Sequence, residues 1–185
     1  LTSRHLIVAL MRKGNSWLLA FEPKSGEVAW KKERNYRTPP ECDHSYATPT
    51  LIEHEGKEAI LVWGAERLSA HSAEDGEMHW VSTGFNPRQK KNWVVVGSQV
   101  VAGDVAVVPY GRGTHMKGIR MGGNGDVTES HLLWARTDTG CFVPSPAVAY
   151  GKVYVLRDRG EVHCIDPGTG KSHWEDAVPR ASSSF

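Results

Sequence analysis

Cysteine is scarce in this chain. Three of 185 residues, Cys42, Cys141 and Cys164, carry a thiol. None forms a C-x-x-C pair and none has a His at zinc-finger spacing, so no metal cluster is expected. An odd number leaves at least one thiol outside any internal disulfide, and all three read as small buried or half-buried side chains. Charge of one sign is lacking as well. With 22 Lys and Arg against 21 Asp and Glu, no net field draws the chain to nucleic acid or to a membrane surface. No apolar run approaches the ~18 residues that cross a bilayer, which argues against direct membrane insertion. The opening LTSRHLIVAL has no basic segment, continuous apolar segment and small-residue cleavage site in series, as an export signal would. It also starts without Met, so a longer parent protein carrying such a signal is expected. No window sustains a 3.6-residue apolar period with caps, and helices are at most incidental.

What the chain does have is glycine, tryptophan and a repeat. Its 39% hydrophobic and 23% charged side chains are those of a globular domain with a real core. AFEPKSGEVAW ends at Trp30, AHSAEDGEMHW at Trp80 and CIDPGTGKSHW at Trp174. Each eleven-residue unit has a small residue first, a turn glycine seventh (Gly26, Gly76, Gly170) and Trp last. A fourth unit with extra loop residues, MGGNGDVTESHLLW, runs from Met121 to Trp134. The Trp residues recur at intervals of 50, 54 and 40 residues, close to the ~40 to 50 residues of a four-stranded blade.

Around each unit the pattern is that of strands. KVYVLRDRGEVHCIDPGTGKSHW contains three short alternating or β-branched runs separated by turns at DRG and GTG, and SPAVAY upstream supplies a fourth. ATPTLIEH and VGSQVVAG are the matching first strands of two other units. Such four-stranded meanders bury their faces by stacking on one another, and a Trp on the outer strand is placed to lie across the next sheet with its N–H on a carbonyl. The turn glycine supplies the positive φ that holds the Trp at a fixed offset.

The eleven-residue pattern resembles the tryptophan-docking motif of quinoprotein-type (PQQ-like) β-propellers, with GKVYVLRDRGEVHCIDPGTGKSHW as the closest stretch and nearly the whole chain covered. The spacing separates it from other propellers. A sialidase-type Asp box needs an aromatic three residues past its glycine, whereas Gly76 to Trp80 and Gly170 to Trp174 are four apart. WD-type repeats need Asp after Trp, whereas Lys31, Val81 and Glu175 follow here. The resemblance implies an all-β chain of about four propeller blades, approximately 1–38, 39–86, 87–136 and 137–185, forming one segment. The first blade lacks its inner strand, the last is incomplete and RASSSF opens a further one. Such a segment is half of an eight-bladed ring, or as the alternative a complete four-bladed one.

Within this family the resemblance points to the non-enzymatic, BamB-like branch. It implies a protein-binding platform in an exported, periplasmic bacterial protein, with protein partners and with the remaining blades or a second chain at the open sheet edges. The alternative is a PQQ-dependent dehydrogenase, with PQQ and calcium as cofactors and its catalytic residues mostly outside this chain. Those enzymes cover the quinone with a disulfide between adjacent cysteines, and Cys42, Cys141 and Cys164 include no adjacent pair. No catalytic, cofactor-binding or metal-ligating residue is therefore assigned, and no cofactor is expected.

The local suspects have plainer readings. His79 and His173 precede Trp where sibling repeats carry Ala29 and Leu133, a slot that tolerates neutral residues. Cys42, Asp43 and His44 in ECDHSYATP read as a polar connecting loop ahead of a strand, against a metal or nucleophile site. GRGTHMKG and GGNGD read as long hairpin loops, since a phosphate cradle leads from strand into helix. Arg88, Lys90 and Lys91 beside Trp93 read as a solvated basic loop rather than a nucleic-acid contact. Lectin-like sugar binding has no motif in its favour.

Overall fold

The computed structural model describes residues 1–178, and the final RASSSF lies outside the described residues. The described residues contain strands and no helix, so none is long and apolar enough to cross a membrane. The strands are β1 (Leu6–Leu10), β2 (Trp17–Phe21), β3 (Val28–Glu33), β4 (Thr50–His54), β5 (Lys57–Gly64), β6 (Arg67–Ser72) and β7 (Met78–Ser82). They continue with β8 (Val100–Ala102), β9 (Val105–Tyr110), β10 (His115–Arg120), β11 (Gly125–Asp126) and β12 (Leu132–Arg136). The last four are β13 (Ala147–Ala149), β14 (Lys152–Leu156), β15 (Glu161–Ile165) and β16 (Ser172–Ala177).

Two compact units result, one of residues 1–94 with 122–128, the other of residues 95–121 with 129 onward. In the first unit, sheet 1 is β1-β2-β3 and sheet 2 is β4-β5-β6-β7, each an antiparallel meander. Ile7, Ala9, Leu18 and Trp30 of sheet 1 pack against Ile60, Val62 and Ala73 of sheet 2. Strand β5 is buried from Ala59 to Gly64, which explains its continuous apolar run AILVW. In the second unit, sheet 3 is β8-β9-β10-β12 and sheet 4 is β13-β14-β15-β16. Val105, Val107, Met116 and Trp134 of sheet 3 share a core with Val153, Val155 and Ile165 of sheet 4.

Tight turns of mirror-image geometry connect the meanders. Glu55–Gly56 (φ 51° and 76°), Ala65–Glu66 (52° and 58°) and Tyr150–Gly151 (51° and 68°) each put two left-handed residues in a two-residue connection, matching the right-handed twist of the strands they join. The outer hairpins share a different turn. In AFEPKSGEVAW, Glu22 N–H donates to the Glu27 carbonyl and Gly26 N–H to the Glu22 carbonyl. Ser72, Gly76 and Glu77 repeat this pattern, as do Asp166, Gly170 and Lys171. Gly26, Gly76 and Gly170 have φ of 75°, 76° and 69°, the left-handed region the repeat requires.

Three expectations about the unit that ends at Trp134 are corrected. The residue facing Trp134 across the ladder is Gly118, as Ala20 faces Trp30, Ala70 faces Trp80 and Cys164 faces Trp174, so Met121 is not its first position. Half of GRGTHMKG is therefore strand, since β10 starts at His115. The GGNGD loop also does more than close a hairpin: within the first unit β11 adds to sheet 2, parallel to β7, with Gly125 opposite Trp80 and Asp126 opposite Val81. Val127 N–H donates to the Val81 carbonyl at 2.9 Å, and Thr83 N–H to Thr128 Oγ1 at 2.9 Å. A loop that gains a ladder in this way satisfies backbone groups at a sheet edge.

Candidate functional site

The repeated Trp and the repeated glycine meet across sheets. Trp30 of sheet 1 lies against Gly76 of sheet 2: a Cβ on Gly76 would stand 2.6 Å from the Trp30 ring. The Trp30 Nε1–H donates to the Ala73 carbonyl at 3.3 Å. Trp134 of sheet 3 repeats the arrangement against Gly170 of sheet 4, where a Cβ would stand 2.5 Å from the ring, and its Nε1–H donates to the Pro167 carbonyl at 2.7 Å. Beneath Trp134 a Cβ on Gly118 would stand 2.2 Å from the indole nitrogen. The small first residue, the turn glycine and the carbonyl three residues before it are thus the floor, roof and acceptor of one indole-binding device. Trp80 is also fully buried.

Trp174 departs from the pattern. It is 46% exposed, beside Tyr154 with ring centroids 6.0 Å apart, and all of β16 is exposed. The expectation that it serves as a wedge between sheets is corrected: among the described residues no later sheet supplies the receiving glycine. The converse holds at Gly26, where a Cβ would meet nothing within 4 Å. Gly76 and Gly170 are buried, whereas Gly26 and its neighbours Pro23 and Glu27 are exposed.

Sheet 1 carries an apolar face on the side of that open turn. Ile7, Ala9 and Leu18 point toward sheet 2, so by strand alternation Leu6, Val8 and Leu10 occupy the other face, and all three are exposed. Their ladder partners are Phe21, Leu19 and Trp17, with Val28 next to Phe21. Val28 is 53% exposed. Leu6, Val8, Leu10 and Val28 thus leave an apolar face of sheet 1 exposed.

Cys42 is buried, its thiol facing the Lys90 carbonyl at 3.3 Å, and burial pushes its pKa up to about 11. Asp43 and His44 pair with each other at 3.1 Å rather than converging with Cys42 on a ligand. Burial raises the Cys141 thiol to about 12. His79 stacks on His54 with ring centroids 4.4 Å apart, and His173 is exposed 3.8 Å from Asp166. In the basic loop, Lys90 Nζ lies 5.2 Å from the Trp93 ring centre, and Asn86 brackets Lys90 through its N–H and its carbonyl at 2.9 and 2.7 Å. Arg88 and Lys91 are exposed, as a solvated loop requires. An open cleft of about 510 Å³ beside sheet 2 is lined by Arg4, Lys57, Glu58, Glu74, Glu77 and His79. Its charges are partly spent locally, with Glu58 holding Ser3 N–H and Oγ, and Arg4 4.0 Å from Glu74.

One buried network had no signal in the repeat. Arg34, 2% exposed, donates to the carbonyls of Gly64 at 3.1 Å and Arg67 at 3.2 Å, and to Ser69 Oγ at 3.0 Å. Ser69 Oγ lies 2.9 Å from His71 Nε2, and His71 Nδ1 lies 3.1 Å from the Gly76 carbonyl. A carbonyl only accepts, so Nδ1 carries the proton and Nε2 accepts from the Ser69 hydroxyl. Burial, reinforced by the neighbouring Arg34 charge, holds His71 neutral with its pKa down to about 4. Burial lowers Arg34 to about 10. This chain of bonds fixes the Gly76 turn that receives Trp30.

No family model matches the chain, and no curated protein matches it in sequence. Solved structures do match. BamB from Moraxella catarrhalis aligns with a TM-score of 0.62 and 17% identity, over 96% of this chain and 47% of that one. A quinohemoprotein alcohol dehydrogenase from Comamonas testosteroni aligns with a TM-score of 0.71 and 14% identity, over 96% of this chain and 34% of that one. The quinohemoprotein alcohol dehydrogenase ADHIIG from Pseudomonas putida HK5 aligns with a TM-score of 0.58 and 13% identity, over 94% and 33%. This chain spans less than half the length of each. Its four antiparallel sheets are β-propeller blades.

Among the described residues no group of three His, Cys, Asp or Glu side chains is placed to hold an ion, and the three cysteines are separate, free and buried.

Proposed function

We propose that this chain is a non-catalytic PQQ-like β-propeller segment that works as a protein-binding platform within a larger, exported bacterial protein. The observation that carries the reading is the outer face of sheet 1, where exposed Leu6, Val8, Leu10 and Val28 adjoin an open Trp-receiving turn at Gly26. Apolar blade faces gain stability only by being covered, and loops at blade ends carry propeller function. The buried thiols and the neutral His71, each held in a structural role, point the same way. Export and periplasmic residence rest on the family resemblance alone.

The second reading, a quinoprotein-type dehydrogenase whose catalytic residues lie outside this chain, is favoured by the structural match to the Comamonas testosteroni enzyme. One experiment separates the two. The full-length protein is incubated with calcium and PQQ, and quinone absorbance retained after desalting is measured together with dye-coupled alcohol oxidation. The platform reading expects neither retention nor turnover, and stoichiometric retention with turnover overturns it.

A further inference from the structure

Sheet 2 has a fifth strand because its outer edge is paired. Within the first unit the edge of β7 takes up β11, and each residue of the seated segment, Gly125, Asp126, Val127 and Thr128, has a task. Gly125 enters opposite Trp80 at a φ of 70°. Asp126 Oδ1 accepts from the Thr128 N–H at 2.9 Å and so shapes the segment. Val127, 2% exposed, donates its N–H to the Val81 carbonyl, and Thr128 Oγ1 accepts from the Thr83 N–H, both at 2.9 Å. The edge thus contributes the first and third residues after Trp80.

At those two positions the other three outer strands differ. Arg34 and Val178, each four residues past a Trp, donate inward to the Ser16 and Gly160 carbonyls, so by alternation the first and third residues past Trp face outward. On β3 these are Lys31 and Glu33, both charged, and the Lys31 ammonium lies 3.7 Å from the Trp17 ring centre. On β16 they are Glu175 and Ala177, and the Ala177 N–H is taken by Asp176 Oδ1 at 2.8 Å. Charges and local caps of this kind keep an edge from pairing. On β12 they are Ala135 and Thr137, so its WART matches the WVST of β7, with an apolar residue first and Thr third. Both are exposed, and among the described residues no strand pairs with that side of β12, the terminal strand of sheet 3.

We propose that the outer edge of β12, at Ala135 and Thr137, is a strand-acceptor site for a protein partner. It takes, in parallel, an extended Gly-Asp-Val-Thr segment of the kind that β11 presents to β7. Main-chain ladder bonds supply the affinity, and the partner's Thr hydroxyl, set against the Thr137 N–H, supplies selectivity. The chain's own segment is already engaged by β7, so the occupant comes from a different protein. The site is separate from the apolar face of sheet 1 and independent of the quinone assay, so failure of either reading leaves the other standing.

The probe is the peptide GGNGDVTES, residues 122–130 of this chain, with an amidated C-terminus and a fluorophore on its N-terminus. Fluorescence anisotropy against the full chain saturates. Ala135→Pro removes the outward N–H, at a place where an edge strand tolerates Pro, and weakens binding about tenfold. Thermal unfolding checks that this variant is folded. The peptide carrying Thr128→Val loses affinity by a similar factor, and it leaves the protein untouched. A benzophenone at peptide position 123 cross-links to β12. Absence of saturation, binding indifferent to either change, or cross-links confined to β7, where the peptide would have displaced β11, overturns the proposal. So does a wild-type dimer that the peptide disperses, which would make a second copy of this chain the occupant.

Discussion

Trp134 and Gly170 are in contact because Gly170 has no side chain. A Cβ there would stand 2.5 Å from the indole, and the φ of 69° asks for glycine a second time. The repeated glycine therefore answers two demands at once, one local to its turn and one set by the indole of another sheet.

Gly26 separates those demands, having the same φ class and open space around its Cβ position. Gly26→Ala carries only the left-handed backbone cost, about 1 to 2 kcal/mol. Gly170→Ala carries that cost and overpacks the Trp134 contact, adding about 1 to 3 kcal/mol. Urea denaturation of the two variants checks the difference, and equal losses would remove the contact from the argument.

The Trp residues are likewise unequal. Trp134→Ala, which deletes a buried ring and the hydrogen bond to Pro167, lowers stability by about 3 to 5 kcal/mol. Trp174→Ala, at a ring 46% exposed, costs about 1 kcal/mol or less. Thermal unfolding of both variants is the measurement, and a larger loss at Trp174 would restore it as a wedge.

The local parts of this design are legible in the sequence and the relational parts are not. Turn, glycine, small residue and Trp sit within eleven residues, and their chemistry shows at Gly26, Gly76 and Gly170 without knowledge of any neighbour. The unit that ends at Trp134 escapes because no local signal announces that its loop ladders with β7 or that Gly118 rather than Met121 faces Trp134. Arg34 looks like one more surface charge in KKERN. Its burial depends on carbonyls at Gly64 and Arg67, some thirty residues on. Trp174 is 46% exposed although its repeat carries the same turn, glycine and Trp as the others, so no feature of the repeat encodes its exposure.

Acid should weaken the first unit through His71. The unfolded chain protonates this residue near pH 6.5, the folded chain only near 4, so the unfolded state binds more protons between those values. Stability is fully present above pH 6.5 and is lost as the pH falls toward 4, by about 3 kcal/mol in all. His79, also lowered chiefly by burial, contributes in the same direction. Urea midpoints measured from pH 7.5 to 4.5 give the slope. His71→Gln flattens it while lowering stability throughout, and an unchanged slope in that variant would assign the effect elsewhere.

Tyr150 offers a gain of stability without loss of packing. It is 95% exposed and holds a φ of 51° ahead of Gly151 at 68°, the two central residues of a mirror-image turn between β13 and β14. An aromatic side chain is strained in that conformation, whereas Asn tolerates it and Asn-Gly is the preferred pair for this turn. Because so little of the ring touches the protein, Tyr150→Asn sheds the strain and forfeits little burial, raising stability by about 0.5 to 1 kcal/mol. The urea midpoint should rise at unchanged slope. A fall would mean that the exposed ring contributes packing to sheet 4 that outweighs its backbone cost.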